Sequence, residues 1–379
     1  MEEHPRGRRS PETKRKKEQF MMKRALIAAL CTGSLFAYNH PCPDNWQFSG
    51  DFLYLMPTVD DTYYVITQSD GGNPGRPVGT IQNNDFGFAP GYRVGAEYSW
   101  CGPQRELQAF YSYLNTDQTS SVSNTANLGL WATTGHADNA ANFENYRGTA
   151  TSKNSLLYQR LDVVFTQQMI NTAGVYLFVA PGLELSSLHM DTKNTYVDTG
   201  ALLQMDVKER SRYEGIGPQM GIEMGYNFYE YNAANAQKSQ KGMPGSTNNK
   251  SDSGRLMDSF SINAVFSGSL LASRGWESFR SSTLNLAGSA NAGLTTVTVN
   301  TTDATNWRMI PALHARVGLN YSAHWSWGGV ALGAGYEFQD YIRGLVRKVY
   351  SDDIADGLTE NIYYNFDLQG LYVSAAVSF

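Results

Sequence analysis

A chain of 379 residues with 30 Lys/Arg and 35 Asp/Glu, a formal charge of −5, is long enough for two or three ordinary domains or for one large β-barrel. Only 17% of residues are charged, 12% are aromatic and 36 are glycine, which suits a polar-lined, aromatic-girdled barrel. A helical membrane protein would need about 20 consecutive apolar residues, and the one extended apolar stretch, residues 25–37, is too short to span.

From the N-terminus, residues 1–20 are hydrophilic and basic and read as a non-native or dispensable extension, since Met21 or Met22 would open a conventional signal. Residues 21–37 read as a secretory signal peptide. Lys23 and Arg24 give the positive flank, Ala25 to Leu30 the apolar centre, and Leu35-Phe36-Ala37 the cleavage site, so the mature chain is expected to begin near Tyr38. A lipoprotein reading of Leu30-Cys31 is weaker, because the residue before a modified cysteine should be small. Removing residues 1–37, with nine Lys/Arg and four Asp/Glu, leaves 21 basic against 31 acidic side chains. A mature chain near −10 argues against nucleic acid as a partner. Cys42 and Cys101 remain in an oxidising compartment, where one disulfide, free thiols or bonds to neighbouring molecules are all open.

Residues 38–379 are expected to form a barrel. A transmembrane strand takes about 9 to 11 residues with lipid-facing and lumen-facing positions alternating. In Phe86 to Trp100 the even positions are largely apolar and the odd ones polar or small; Ile216 to Phe228, Leu313 to Tyr321 and Val330 to Phe338 divide likewise. Weaker segments are Trp46 to Met56, Glu106 to Leu114, Leu157 to Thr166, Val175 to Ser186 and Phe260 to Leu270. The last strand sets Leu371, Val373, Ala375, Val377 and Phe379 on one face, and a terminal aromatic after such alternation resembles the signal read by outer-membrane barrel-assembly machinery. The total is about ten antiparallel strands (range eight to twelve) in an up-and-down transmembrane barrel with both termini in the periplasm.

Connections alternate between short periplasmic turns (101–105, 167–173, 322–325) and long extracellular loops (57–85, 115–155, 187–212, 271–307, 340–361). The Asn/Ser/Lys-rich insertion at 229–258 falls where a short turn is due, so it is either a periplasmic excursion or a hidden hairpin. Pro90, Pro181, Pro218 and Pro311 fall inside strands although proline cannot donate to a ladder, and are expected at bulges or strand ends.

The succession Trp46 to Met56 (WQFSGDFLYLM), Gly87 to Tyr98 (GFAPGYRVGAEY), Tyr213 to Tyr226 (YEGIGPQMGIEMGY), Trp307 to Tyr321 (WRMIPALHARVGLNY) and Ala334 to Asp340 (AGYEFQD) resembles the Legionella-type major outer membrane protein family. These are pore-forming barrels, also found as porin-like proteins in chlamydia-related bacteria. The resemblance covers most of the mature chain. It implies a pore-forming outer-membrane protein, with no catalytic residues and no identified solute. Gln219, where a basic residue is expected, and the 229–258 insertion depart from the pattern.

Candidate lumen-lining residues are Arg93, Glu97, Arg160, Asp162, Glu184, Glu223, His314, Arg316 and Glu337, with Asp51 and Glu106. Acidic groups lead, so an open channel would modestly favour cations; paired, the same groups would fill a narrow barrel. Chemistry finds little support. The histidines show no metal spacing, His189 with Asp191 reads as loop polarity before it reads as an acid/base pair, and Gly215 to Gly221 continues with period two where a phosphate loop would start a helix. The expectation is therefore a porin for small hydrophilic solutes with no enzyme activity, cofactor or metal. The alternatives are a closed structural or adhesive surface barrel and a soluble secreted β-protein. Expected partners are outer-membrane lipid, the barrel-assembly machinery and small hydrophilic solutes; a homo-oligomer is compatible.

Overall fold

The computed structural model describes residues 45–60, 62–68, 78–100, 105–124, 129–134, 143, 145–172, 174–232, 255–289, 291–303, 306–325, 328–349 and 360–379. The N-terminal extension, the expected signal segment, Cys42, Cys101 and residues 233–254 lie outside them.

The strands are β1 (Asn45–Val59), β2 (Tyr63–Gln68), β3 (Gly79–Asn83), β4 (Ala89–Trp100), β5 (Arg105–Asn124), β6 (Leu130–Ala132) and β7 (Gly148–Thr172). They continue with β8 (Val175–Asp198), β9 (Leu203–Asn232), β10 (Arg255–Asn285), β11 (Thr295–Thr302), β12 (Asn306–Trp325), β13 (Gly328–Val349) and β14 (Glu360–Ser378). Ten of them close a ring, β1-β4-β5-β7-β8-β9-β10-β12-β13-β14 and back to β1, with every pairing antiparallel. The chain is thus the expected ten-stranded barrel. Its seam includes the last residue. Phe379 and Trp46 exchange backbone hydrogen bonds of 3.0 and 3.1 Å, and the Phe379 ring stacks on Phe48.

The alternation read from the sequence is the lipid-facing pattern. Phe52, Val94, Met220, Phe266, Leu319 and Val373 all point outward and are exposed, which water would penalise at about 25 cal/mol per Å² and lipid does not. Aromatic side chains rim this band. Trp46, Tyr98, Trp100 and Phe165 pack in sequence near the chain ends, as do Phe228, Phe260 and Tyr321, while Tyr54 on Phe88 and Tyr92 on Tyr113 lie toward the opposite rim. One member of the pattern fails. Phe86 precedes β4 and is buried inside the barrel mouth, not on the lipid face.

The strands run far beyond the membrane. β9 has 30 residues and β10 has 31, several times the ~10 that span the hydrocarbon. The ranges expected as loops at 115–155, 187–212 and 271–307 are therefore largely ladder, with Asn115 to Asn124 pairing Gly148 to Leu157 and only residues 199–202 turning between β8 and β9. The ranges 57–85 and 340–361 likewise hold β2, β3 and the end of β13. Above the lipid the outer face is wet, so the apolar side of the strand reverses. On β9 the lipid-facing apolar residues are even (Ile216, Met220, Ile222), while the buried ones higher up are odd (Met205, Val207, Tyr213). A small sheet of β3, β2 and β6 tucks against this upper wall, joining Tyr64, Leu130, Phe143, Tyr196 and Phe279 in a second core. At the 229–258 insertion, β9 and β10 pair directly out to Asn232 and Met257.

Candidate functional site

The side chains that set the character of the lumen come from inward positions of the ring strands. Asp51 of β1 and Arg93 of β4 are cross-strand partners, as are Arg316 of β12 and Glu337 of β13. Each arginine nevertheless reaches beyond its neighbour. Arg93 forks onto Glu337 (2.8 and 2.6 Å) across the lumen, touches Asp51 at 3.2 Å and donates through Nε to Ser112 at 2.9 Å. Arg316 reaches Asp51 at 2.9 Å and lies 3.6 Å over the Tyr372 ring.

A second group sits on the wall formed by β7 and β8. Arg160 holds Asp162 at 2.9 Å and Glu184 at 3.5 Å, while Ser269 of β10 donates to Glu184 at 2.7 Å. Gln219 completes it in the amide orientation that donates to Asp162 (3.0 Å) and accepts from Arg160 (3.2 Å). The two groups are joined. Gln339 donates to Glu337 and accepts from Tyr158, whose hydroxyl meets that of Tyr341 at 2.9 Å, and Tyr341 donates to Glu184 at 2.9 Å. The network crosses the barrel from β1 to β8.

Above it lies an apolar floor. Every ring strand contributes: Leu53 and Leu55, Ala89, Leu114, Leu156, Leu188, Tyr213, Leu271, Ile310, Leu345, Phe366 and Leu368, each at most 5% exposed. The rings of Tyr158, Tyr213 and Phe366 gather around Tyr341 with centroids 5.9 to 6.1 Å away. The top of β13 then bends inward at a register shift after Tyr341, where Arg343 takes a positive φ of 57°. From there Val346 donates to Ser211 (3.0 Å), Arg347 pairs with Glu209 (2.9 Å) and Lys348 with Asp303 (2.6 Å), tying this strand across the mouth to β9 and the segment after β11.

The nine candidate residues lie on inward positions of their strands, and they divide. Arg93, Arg160, Asp162, Glu184, Arg316 and Glu337 meet in the cross-lumen network. His314 stands at its edge, 3.9 Å from Glu337. Glu97 and Glu223 lie in the half-buried periplasmic part of the lumen together with Glu106, where Gln47 donates to Glu97 at 3.3 Å and Gln108 to Glu106 at 3.0 Å. Sequence reasoning missed the neutral members Ser112, Tyr158, Ser269, Gln339 and Tyr341. The signal available was parity, since Gln339 and Tyr341 share the inward register of Glu337. Gln219, read as a departure, sits where Arg160 already supplies the cation. Asp191 pairs with Arg210 and Arg212, and His189 with Ser187, on the outer surface. Among the described residues no His, Cys, Asp or Glu cluster has metal-binding geometry.

Residues 39–379 match the family model described as Legionella pneumophila major outer membrane protein precursor. No curated protein matches. Solved structures similar to this chain include the outer membrane protease OmpT from Escherichia coli (8% identity, TM-score 0.36, 90% of this chain and 99% of that one). Others are the transport unit of the autotransporter AIDA-I from Escherichia coli (8%, 0.30, 91% and 92%) and the toluene transporter TodX of P. putida (9%, 0.27, 89% and 90%). At these scores the likenesses carry no argument about activity.

Proposed function

Because the chain belongs to the Legionella pneumophila major outer membrane protein family, we propose that it is a surface barrel of the outer membrane whose lumen is closed at mid-height, rather than a wide general-diffusion pore. The observation that carries this reading is the unbroken apolar floor on the cross-lumen ion-pair network. Ten strands enclose little space, and here that space is taken by side chains from every wall. Export fits the same picture: the family match begins at residue 39, next to the expected cleavage after Ala37, and the family description is of a precursor. Phe379, paired with Trp46 at the seam, is proposed as the residue the assembly machinery reads.

Planar-bilayer recording of the purified, refolded protein tests the closure. The expected result is an absence of steady single-channel steps, and conductance appearing when Tyr158, Tyr213 and Tyr341 are changed together to alanine. Large, long-lived steps from the unaltered protein would sink the closed-barrel reading.

A second reading, a gated and weakly cation-preferring pore, is favoured by one observation. Arg93 already bonds two carboxylates, Glu337 and Asp51, so it has a second partner at hand, and the half-open space below holds Glu97, Glu106 and Glu223. Brief openings whose cation preference falls in the Glu97→Gln, Glu223→Gln double variant support it. Unchanged selectivity removes these residues from the path.

A further inference from the structure

The outward face of the upper barrel carries a row of cations that sheet formation does not explain. In register across four neighbouring strands, Lys153 of β7 faces Lys193 of β8, Lys193 faces Lys208 of β9, and Lys208 faces Arg280 of β10. All four are exposed. Strands lie ~4.8 Å apart, so the row holds four like charges along roughly 14 Å, and like charges directly opposite one another destabilise a sheet. Asp206, 3.5 Å from Lys193, offsets part of this.

The row tops a basic strip that starts at the lipid edge. Leu185, Ile216 and Ala272 form one cross-strand row at the upper limit of the apolar band. Above it on the same outward face come Arg274 beside Glu214, then Arg212 and Arg210 sharing Asp191, then the ladder. From Leu185 to Lys193 is eight residues, ~26 Å of strand and roughly 20 Å of height at a 40° tilt. The other side of the barrel carries the reverse charge, with Asp340 facing Asp367 across β13 and β14.

We propose that this strip binds the phosphorylated sugars of an outer-leaflet glycolipid whose acyl chains lie on Leu185, Ile216 and Leu270. A lipid anchored on that apolar face has its headgroup at the foot of the strip and its sugars rising along it, and phosphates placed along the row relieve the repulsion built into it. The inference rests on the outer-membrane placement of the family and not on whether the lumen conducts.

The test follows the thermal unfolding of the full chain in phosphatidylcholine vesicles that carry phosphorylated lipopolysaccharide, chemically dephosphorylated lipopolysaccharide, or neither, with heparin added to the aqueous phase as a soluble polyanion. The phosphorylated form is expected to raise the unfolding temperature and the others to leave it unchanged. Replacing Lys153, Lys193, Lys208 and Arg280 by glutamine abolishes the rise, and without glycolipid that variant unfolds at or above the temperature of the unaltered protein. The Lys193→Glu, Arg280→Glu variant alternates charges along the row, which favours strand pairing, and is also expected to lose the response. Equal rises with both lipopolysaccharides, or a rise that survives both variants, would overturn the proposal. A heparin response as large as the glycolipid's would overturn the lipid assignment.

Discussion

At Gly318 and Gly335, partners across β12 and β13, the missing side chains leave the space that the Tyr372 ring fills, and Arg316 lies on that ring. A Cβ at Gly335 would meet the backbone of Val317 and Gly318, so Gly335→Ala is expected to cost about 1 to 3 kcal/mol, read as a lower urea midpoint in refolding. The arginine layer carries larger stakes. Taking the charge from Glu337 leaves Arg93 buried with Asp51 as its remaining carboxylate, and Glu337→Ala is expected to cost about 3 to 5 kcal/mol by the same measurement. In the extracellular extension, burial and the nearby Asp303 carboxylate push Glu277 up to about 7. A carboxyl raised on folding favours the native state at low pH, and that contribution fades as pH rises from the ordinary glutamate range through about 7. The unfolding temperature should therefore fall as pH rises over this window, and Glu277→Gln should flatten that part of the profile. An unchanged pH profile in the variant would discard the assignment.

At the scale of single strands, the prolines show how one ladder tolerates residues that cannot donate. Pro90 lies one residue beyond the β4–β5 ladder, which begins at Gly91, and Pro311 one residue beyond the β12–β13 ladder, which begins at Ala312. Pro181 sits opposite an interruption between β8 and β7, and Pro218 opposite one between β9 and β10. Each keeps its pairing on the other side, so each missing N–H falls where a partner is already absent. Ile222 is the contrary case, paired with Val179 on one side and Phe266 on the other. Ile222→Pro is expected to abolish the heat-modifiable gel migration of a folded barrel, whereas Pro218→Ala is expected to preserve it.

Considered as a whole molecule, the barrel is filled by side chains at two levels: the charged network with the apolar floor on it, and above them the β2-β3-β6 sheet with the inward-leaning top of β13. The levels rest on different physics. Charged groups satisfied by one another hold the lower one, where unpaired charge is most costly, while apolar burial in water holds the upper one. Replacing residues 62–84 with a short linker should thus remove the small sheet from the upper level and leave bilayer conductance absent. Conductance appearing from that deletion alone would place the seal in the loops.

Much of the fold was legible from residue order, because a lipid face demands apolar side chains at every second position and those positions can be counted. Ile216 to Phe228 and Leu371 to Phe379 declare themselves in this way, and so does the inward parity of Arg93, Arg160 and Glu337. The extensions were not legible, because above the membrane the outer face of a strand meets water and the apolar side turns inward, as at Met205, Val207 and Tyr213. Their Ser, Thr and Asn then resemble loop. Nor does parity say whether an inward charge meets water or another charge. The sequence by itself determined a barrel of about ten strands and its lipid face. Only the tertiary structure decided that Arg93 reaches Glu337 across the lumen, that Tyr158 and Tyr341 link the two charged groups, and that four cations share one row, since these contacts depend on how the ring closes and staggers its strands.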